Sequence, residues 1–162
     1  MILTFYFFIS WVLIGLFLFN RIHQQASVKE VTLLFLLSCL INTNTYIGLF
    51  DEFKWIKTTT DTELYIAALI FKNVFVPLLM CCFTLLIDRS HLIRKILFFS
   101  LFSMIIVVSD LINEYKGMYT FKQWNTLYTF LYFSLFLLVL LLSLKWYRGL
   151  DSRSRGKNNV VD

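Results

Sequence analysis

Five long apolar stretches, at residues 2–19, 31–50, 64–87, 96–113 and 125–144, are separated by short polar segments, and a polar tail follows the last of them. A hydrocarbon core of about 30 Å is crossed by roughly 20 helical residues, and each stretch is close to that length. None of the five alternates apolar and polar residues as a membrane β-barrel strand does. Backbone groups in lipid must satisfy one another, so a segment without that alternation spans as a helix. The pattern predicts an all-α polytopic membrane protein, a bundle of five transmembrane helices forming a single domain over residues 1–148. Residues 149–162 carry no apolar periodicity and read as a disordered basic tail. No Lys or Arg precedes the first stretch, and "LFNRIHQQASV" after it offers no convincing small-residue cleavage site, so it reads as a retained anchor rather than a signal peptide.

Composition reinforces this class: 59% of the residues are hydrophobic and 19% aromatic, with five Gly and one Pro, an apolar load that excludes an ordinary soluble domain. The net charge of +5 is unevenly spread. With five spans, the N-terminus and the loops 51–63 and 114–124 share one side and carry Lys54, Lys57, Lys116 and Lys122. The other side carries Arg21, Lys29, Arg89, Arg94, Lys95, Lys145, Arg148, Arg153, Arg155 and Lys157. Basic residues stay on the cytoplasmic side, so the expected topology is a multi-pass protein with its N-terminus outside and its C-terminus cytoplasmic. The basic excess is then explained by topology and attraction to anionic lipid. The expected partners are the lipid bilayer and a membrane-protein partner or a second copy of the chain, with no nucleic acid. Trp55, Tyr119 and Trp124 at the outer boundary, and Trp146 and Tyr147 at the inner one, read as interfacial belt residues.

Cys39, Cys81 and Cys82 lie in apolar stretches without CxxC spacing, and His23 and His91 stand alone in short loops. Neither a disulfide framework nor a zinc site is suggested, and no metal or cofactor is implied. The informative residues are the polar ones inside the spans. Lys72 and Asn73 interrupt "LIFKNVFVPLLMCC", Asn42 and Asn44 lie in the second span, and Asp110 lies in the fourth. At about 1.5 Å of rise per residue, all of them fall in the half of the bilayer expected to be outer. An isolated charge there costs on the order of 3 kcal/mol on insertion scales. The expectation is therefore that Lys72 pairs with Asp110, with Asn42, Asn44 and Asn73 adding hydrogen bonds.

Helical spacing supports shared faces. Ser103, Asp110 and Glu114 fall at i, i+7 and i+11, Asn42, Thr45 and Tyr46 at i, i+3 and i+4, and Asn125, Thr129 and Tyr132 form a comparable stripe. Pro77 is expected to kink the third helix and free a carbonyl near Asn73. Lys72, Asp110, Asn42, Asn44, Asn73, Glu114 and Asn125 thus make a candidate polar cluster, either a binding pocket or polar glue between helices. An intramembrane enzyme needs paired, activated groups, and only Asp110 and Glu114 come near that. The reading is a non-enzymatic membrane protein that acts by association with other membrane components. Its alternative is small-solute or ion binding or transport at the cluster. The inner halves of the spans hold few polar residues beyond Ser38, Thr84 and Ser143, so a complete path through one subunit is not expected.

The segment "FKNVFVP", followed by "DLINEYKGMYTFKQWN", resembles an uncharacterised family of small five-span membrane proteins from spore-forming Firmicutes. Shared features are a charged residue five before a span-interrupting Pro (Lys72, Pro77), an acidic pair four apart (Asp110, Glu114) and a Trp at the start of the last span (Trp124). The family tends to carry an acidic residue where Lys72 stands and Glu where Asp110 stands. The resemblance implies the multispan architecture and a bacterial plasma membrane, and it implies no activity.

Overall fold

The computed structural model describes residues 9–12, 14–15, 26–88 and 90–158. Most of the first expected span, 2–19, lies outside the described residues, as does His23. Residues 9–12 and 14–15 are helical, and Ile9 and Ile14 pack against the core.

The remaining elements are α1 (Val28–Ile47), prolonged by a π-helical turn at Gly48–Glu52, then β1 (Ile56–Thr58) and α2 (Thr62–Ile70). A second π-helical turn at Phe71–Phe75 joins α2 to α3 (Val76–Asp88), and α4 (Leu92–Tyr115), β2 (Tyr119–Phe121) and α5 (Thr126–Asn158) follow. Four of the resulting helices are long and apolar enough to cross a membrane: Val28–Glu52, Thr62–Asp88, Leu92–Tyr115 and Thr126–Leu150. They overlap the second to fifth apolar stretches of the sequence.

Local chemistry sets the helix starts. Ser27 and Glu30 form a capping box at α1, with Ser27 N donating to Glu30 Oε2 (2.9 Å) and Glu30 N to Ser27 Oγ (3.2 Å). Asp61 accepts from Leu64 N (3.0 Å) at the start of α2, and Asn125 accepts from Tyr128 N (3.0 Å) at the start of α5. Helix α4 ends at Tyr115, and just beyond it Gly117 turns the chain with a φ of +71°, in the left-handed region that a side chain disfavours. At its far end α5 runs on to Asn158, so the tail expected to be disordered begins as a continuation of the helix. No proline stops it, and Leu, Arg and Lys are good helix formers.

Helix α3 is the centre of the bundle, with nearly every residue from Val76 to Ile87 buried. It packs against α1 and α4, and α5 closes the bundle against α4, α1 and α3. Phe83, Phe102 and Phe133 form a ladder of ring contacts at 5.2 and 6.5 Å across α3, α4 and α5. Cys81 and Cys82 are core residues, and Cys81 Sγ lies 3.7 Å from Ser38 Oγ. Outward faces of α4 and α5 expose leucine and isoleucine, among them Ile93, Ile96 and Leu135, which suits contact with lipid.

One element departs from a purely helical chain. Strands β1 and β2 pair antiparallel with Ile56 opposite Phe121, Lys57 opposite Thr120 and Thr58 opposite Tyr119. Trp55 O extends the ladder by accepting from Lys122 N (2.8 Å). The strands come from the α1–α2 and α4–α5 connections, so these two loops are bonded together at one end of the bundle.

Candidate functional site

Asp110 lies on α4 and is buried. Its Oδ2 accepts from Thr129 Oγ1 (2.6 Å) and its Oδ1 from the Tyr119 hydroxyl (3.4 Å). A second layer holds these donors: Asn113 Nδ2 donates to the Tyr119 hydroxyl (2.7 Å), and Trp124 Nε1 donates to Thr129 Oγ1 (2.8 Å). Spacing explains the convergence. Asp110 and Asn113 share a face at i and i+3, the turn at Gly117 folds β2 back over that face, and Thr129 sits in the first turn of α5.

Lys72 has a different partner from the one expected. Its ammonium stands 4.7 Å from the centre of the Tyr46 ring, a cation–π contact, and it makes no ion pair with Asp110. Tyr119 lines the cleft that holds Lys72 and donates to Asp110. Tyr119 and Trp124 are therefore not simply belt aromatics. Tyr119 is 3% exposed, and both belong to the Asp110 network.

The remaining candidates separate. Asn42 is fully buried and its Nδ2 donates to the Lys72 carbonyl (2.5 Å), while its Oδ1 has no hydrogen-bond partner among the described residues. Asn44 is exposed and donates to Leu40 O of its own helix (2.8 Å). Asn73 and Glu114 are exposed, and Asn125 serves as the cap of α5. Of the proposed polar stripes, Thr129 joins Asp110, whereas Thr45 and Ser103 donate to backbone carbonyls one turn earlier on their own helices.

Pro77 acts one residue away from where its position alone predicts. In an α-helix it would orphan the carbonyl four residues back, that of Asn73. The π-helical turn shifts the register to i+5, as Val76 N donating to Phe71 O shows, and the carbonyl left without an N–H is that of Lys72. That is the oxygen Asn42 satisfies.

Beside this region a cleft of about 500 Å³ opens between the end of α1, α2 and the β1–β2 ladder. Tyr65, Ala68, Leu69 and Lys72 contribute one face of the second described span at i, i+3, i+4 and i+7, and Tyr46, Phe50 and Tyr119 stand opposite. Lys54, Lys57 and Lys122 line it at the loop level, with Asp51 as its one acid. Lys54 adopts a φ of +53°, a left-handed conformation that costs a side-chain-bearing residue about 1–2 kcal/mol.

At the opposite end Arg148 of α5 bridges two carboxylates. Its Nε donates to Glu30 Oε1 and its Nη1 to Asp88 Oδ2, each at 2.5 Å. This joins the start of α1, the end of α3 and the C-terminal part of α5. The sequence carried a signal for it, since Glu30 and Asp88 each lie at the edge of an apolar stretch on the same expected side as Arg148.

Among the described residues no group of three or more His, Cys, Asp or Glu side chains lies close enough together to hold a metal ion. The fold and its polar centres define a polytopic helical membrane protein with a cleft at one end of the bundle. Comparison with protein-family models, with curated proteins and with solved structures finds no match to this chain.

Proposed function

We propose that this chain is a multi-pass protein of a bacterial plasma membrane, with its N-terminus outside and its C-terminus cytoplasmic, that binds a small ligand in the cleft between α1, α2 and the β1–β2 ladder. The observation that carries the reading is the cleft itself. Its volume of about 500 Å³ falls within the range of ligand sites, and an aromatic wall with a few convergent charged groups is their usual lining. Lys72 supports it further: a cation kept within a span, with no carboxylate at ion-pair distance among the described residues, is a functional candidate in a membrane. The orientation rests on the lysine and arginine asymmetry, and the bonded loops at one end and the Arg148 bridge at the other agree with alternating crossings.

Action by association with other membrane components stays a second reading, carried by the exposed apolar faces of α4 and α5. Lipid covers such faces equally well, so they favour association less than the cleft favours binding. The two readings part in one experiment. Ala68→Phe places a ring in the cleft from its α2 wall. Thermal unfolding of the purified protein in detergent is expected to shift upward with a ligand fraction extracted from membranes, and the Ala68→Phe protein is expected to show no such shift. Equal shifts in both proteins would remove the cleft as the binding site.

A further inference from the structure

The cleft sorts charge in a way the loops as a whole do not. Segments 51–63 and 114–124 together hold five acids, Asp51, Glu52, Asp61, Glu63 and Glu114, against four lysines. Three of those lysines, Lys54, Lys57 and Lys122, line the cleft together with Lys72, while Asp51 alone of the acids does so. These lysines come from three separate segments, brought together by the left-handed turn at Lys54 and the pairing of β1 with β2. A near-neutral surface has become a cationic cleft, which is what recognition of an anion requires.

The geometry of the walls restricts the anion. Tyr65 and Leu69 line the cleft and are 44% and 37% exposed, on a helix long and apolar enough to cross the membrane. The cleft therefore offers apolar surface at the level of lipid together with ammonium groups at the loops. From Tyr65 to Lys72 the wall descends about 10 Å at the helical rise, a length suited to an apolar chain below a charged head. We propose that the cleft binds a phosphate anion carried on an amphiphile, an anionic phospholipid, with its phosphate among Lys54, Lys57, Lys122 and the snorkelling Lys72 and its acyl chain along Tyr65 and Leu69. This rests on the ligand-binding reading of the cleft and names its chemistry.

The test uses the full-length protein in neutral detergent with three probes: dioleoylphosphatidylglycerol, dioleoylphosphatidylcholine and sodium phosphate. Native mass spectrometry reads retained lipid, and thermal unfolding reads stabilisation by all three. The proteins compared are the parent, Lys57→Gln/Lys122→Gln, Lys116→Gln as a control that removes a loop charge outside the cleft, and Ala68→Phe. The expected result is one retained phosphatidylglycerol per parent chain, retention lowered at least tenfold in Lys57→Gln/Lys122→Gln and in Ala68→Phe, and no loss in Lys116→Gln. Equal loss in Lys116→Gln, or none in Lys57→Gln/Lys122→Gln, would overturn the proposal. Stabilisation by sodium phosphate without lipid retention would overturn the amphiphile in favour of a soluble phosphate. Binding of phosphatidylcholine that Ala68→Phe abolishes and the lysine changes do not would overturn the anion and leave the cleft as a site. No difference between the parent and Ala68→Phe with any probe would overturn both.

Discussion

Thr129 shows how a single hydroxyl holds a buried acid. It accepts from the Trp124 indole and donates to Asp110, so one atom joins the loop before α5 to the C-terminal part of α4. Thr129→Val keeps the shape and deletes both bonds, leaving the carboxylate and the indole N–H without that partner. A buried polar group left unpaired costs roughly 1–3 kcal/mol, and thermal unfolding in detergent is expected to register a loss of that order. Thr129→Ser restores the hydroxyl and is expected to recover most of the stability. If Thr129→Val unfolds with the parent, the hydroxyl is not what holds Asp110. The sequence pointed to Thr129 through its spacing from Asn125 and Tyr132. It did not point to Tyr119, because a tyrosine in a loop next to a span resembles any interfacial aromatic until the chain folds back.

The broken span from Thr62 to Asp88 is a case of one element relying on another. Pro77 cannot donate, the π-helical turn before it moves the deficit to the Lys72 carbonyl, and Asn42 of α1 makes it good. Asn42→Leu is therefore expected to destabilise the protein by roughly 1–2 kcal/mol. In a Pro77→Ala background, where residue 77 regains an N–H, the same change is expected to cost much less. The coupling is read from a double-mutant cycle on thermal stability. Additive effects would mean that Asn42 and Pro77 act independently. Proline's effect on its own helix was legible from sequence, and the choice of register was not, since it depends on where α1 presents its amide.

Across the whole molecule, Arg148 fastens the end opposite the cleft by bridging Glu30 and Asp88. The acid side chains are only 10% and 6% exposed, so removing the cation strands two carboxylates. Arg148→Met is expected to cost about 3 kcal/mol or more. Neutralising all three with Arg148→Met, Glu30→Gln and Asp88→Asn is expected to recover a large part, because no charge is left stranded and Gln at position 30 can still complete the capping box. Thermal unfolding of the two proteins decides the matter. If the triple variant is no more stable than Arg148→Met, the bridge does not act through charge compensation.

Length and apolarity are local properties, and they were enough to give the four long apolar helices. Depth along a helix follows from counting residues at a constant rise. Which way a residue faces around the bundle does not, because it depends on how neighbouring helices rotate and pack. Lys72 and Asp110 were expected to pair, and in the fold Lys72 stands over Tyr46 while Asp110 takes its hydrogen bonds from Tyr119 and Thr129. The same reason explains the cleft. Lys54, Lys57, Lys72 and Lys122 are scattered along the chain, and only the strand pairing between two loops, contacts far apart in sequence, gathers them on one surface.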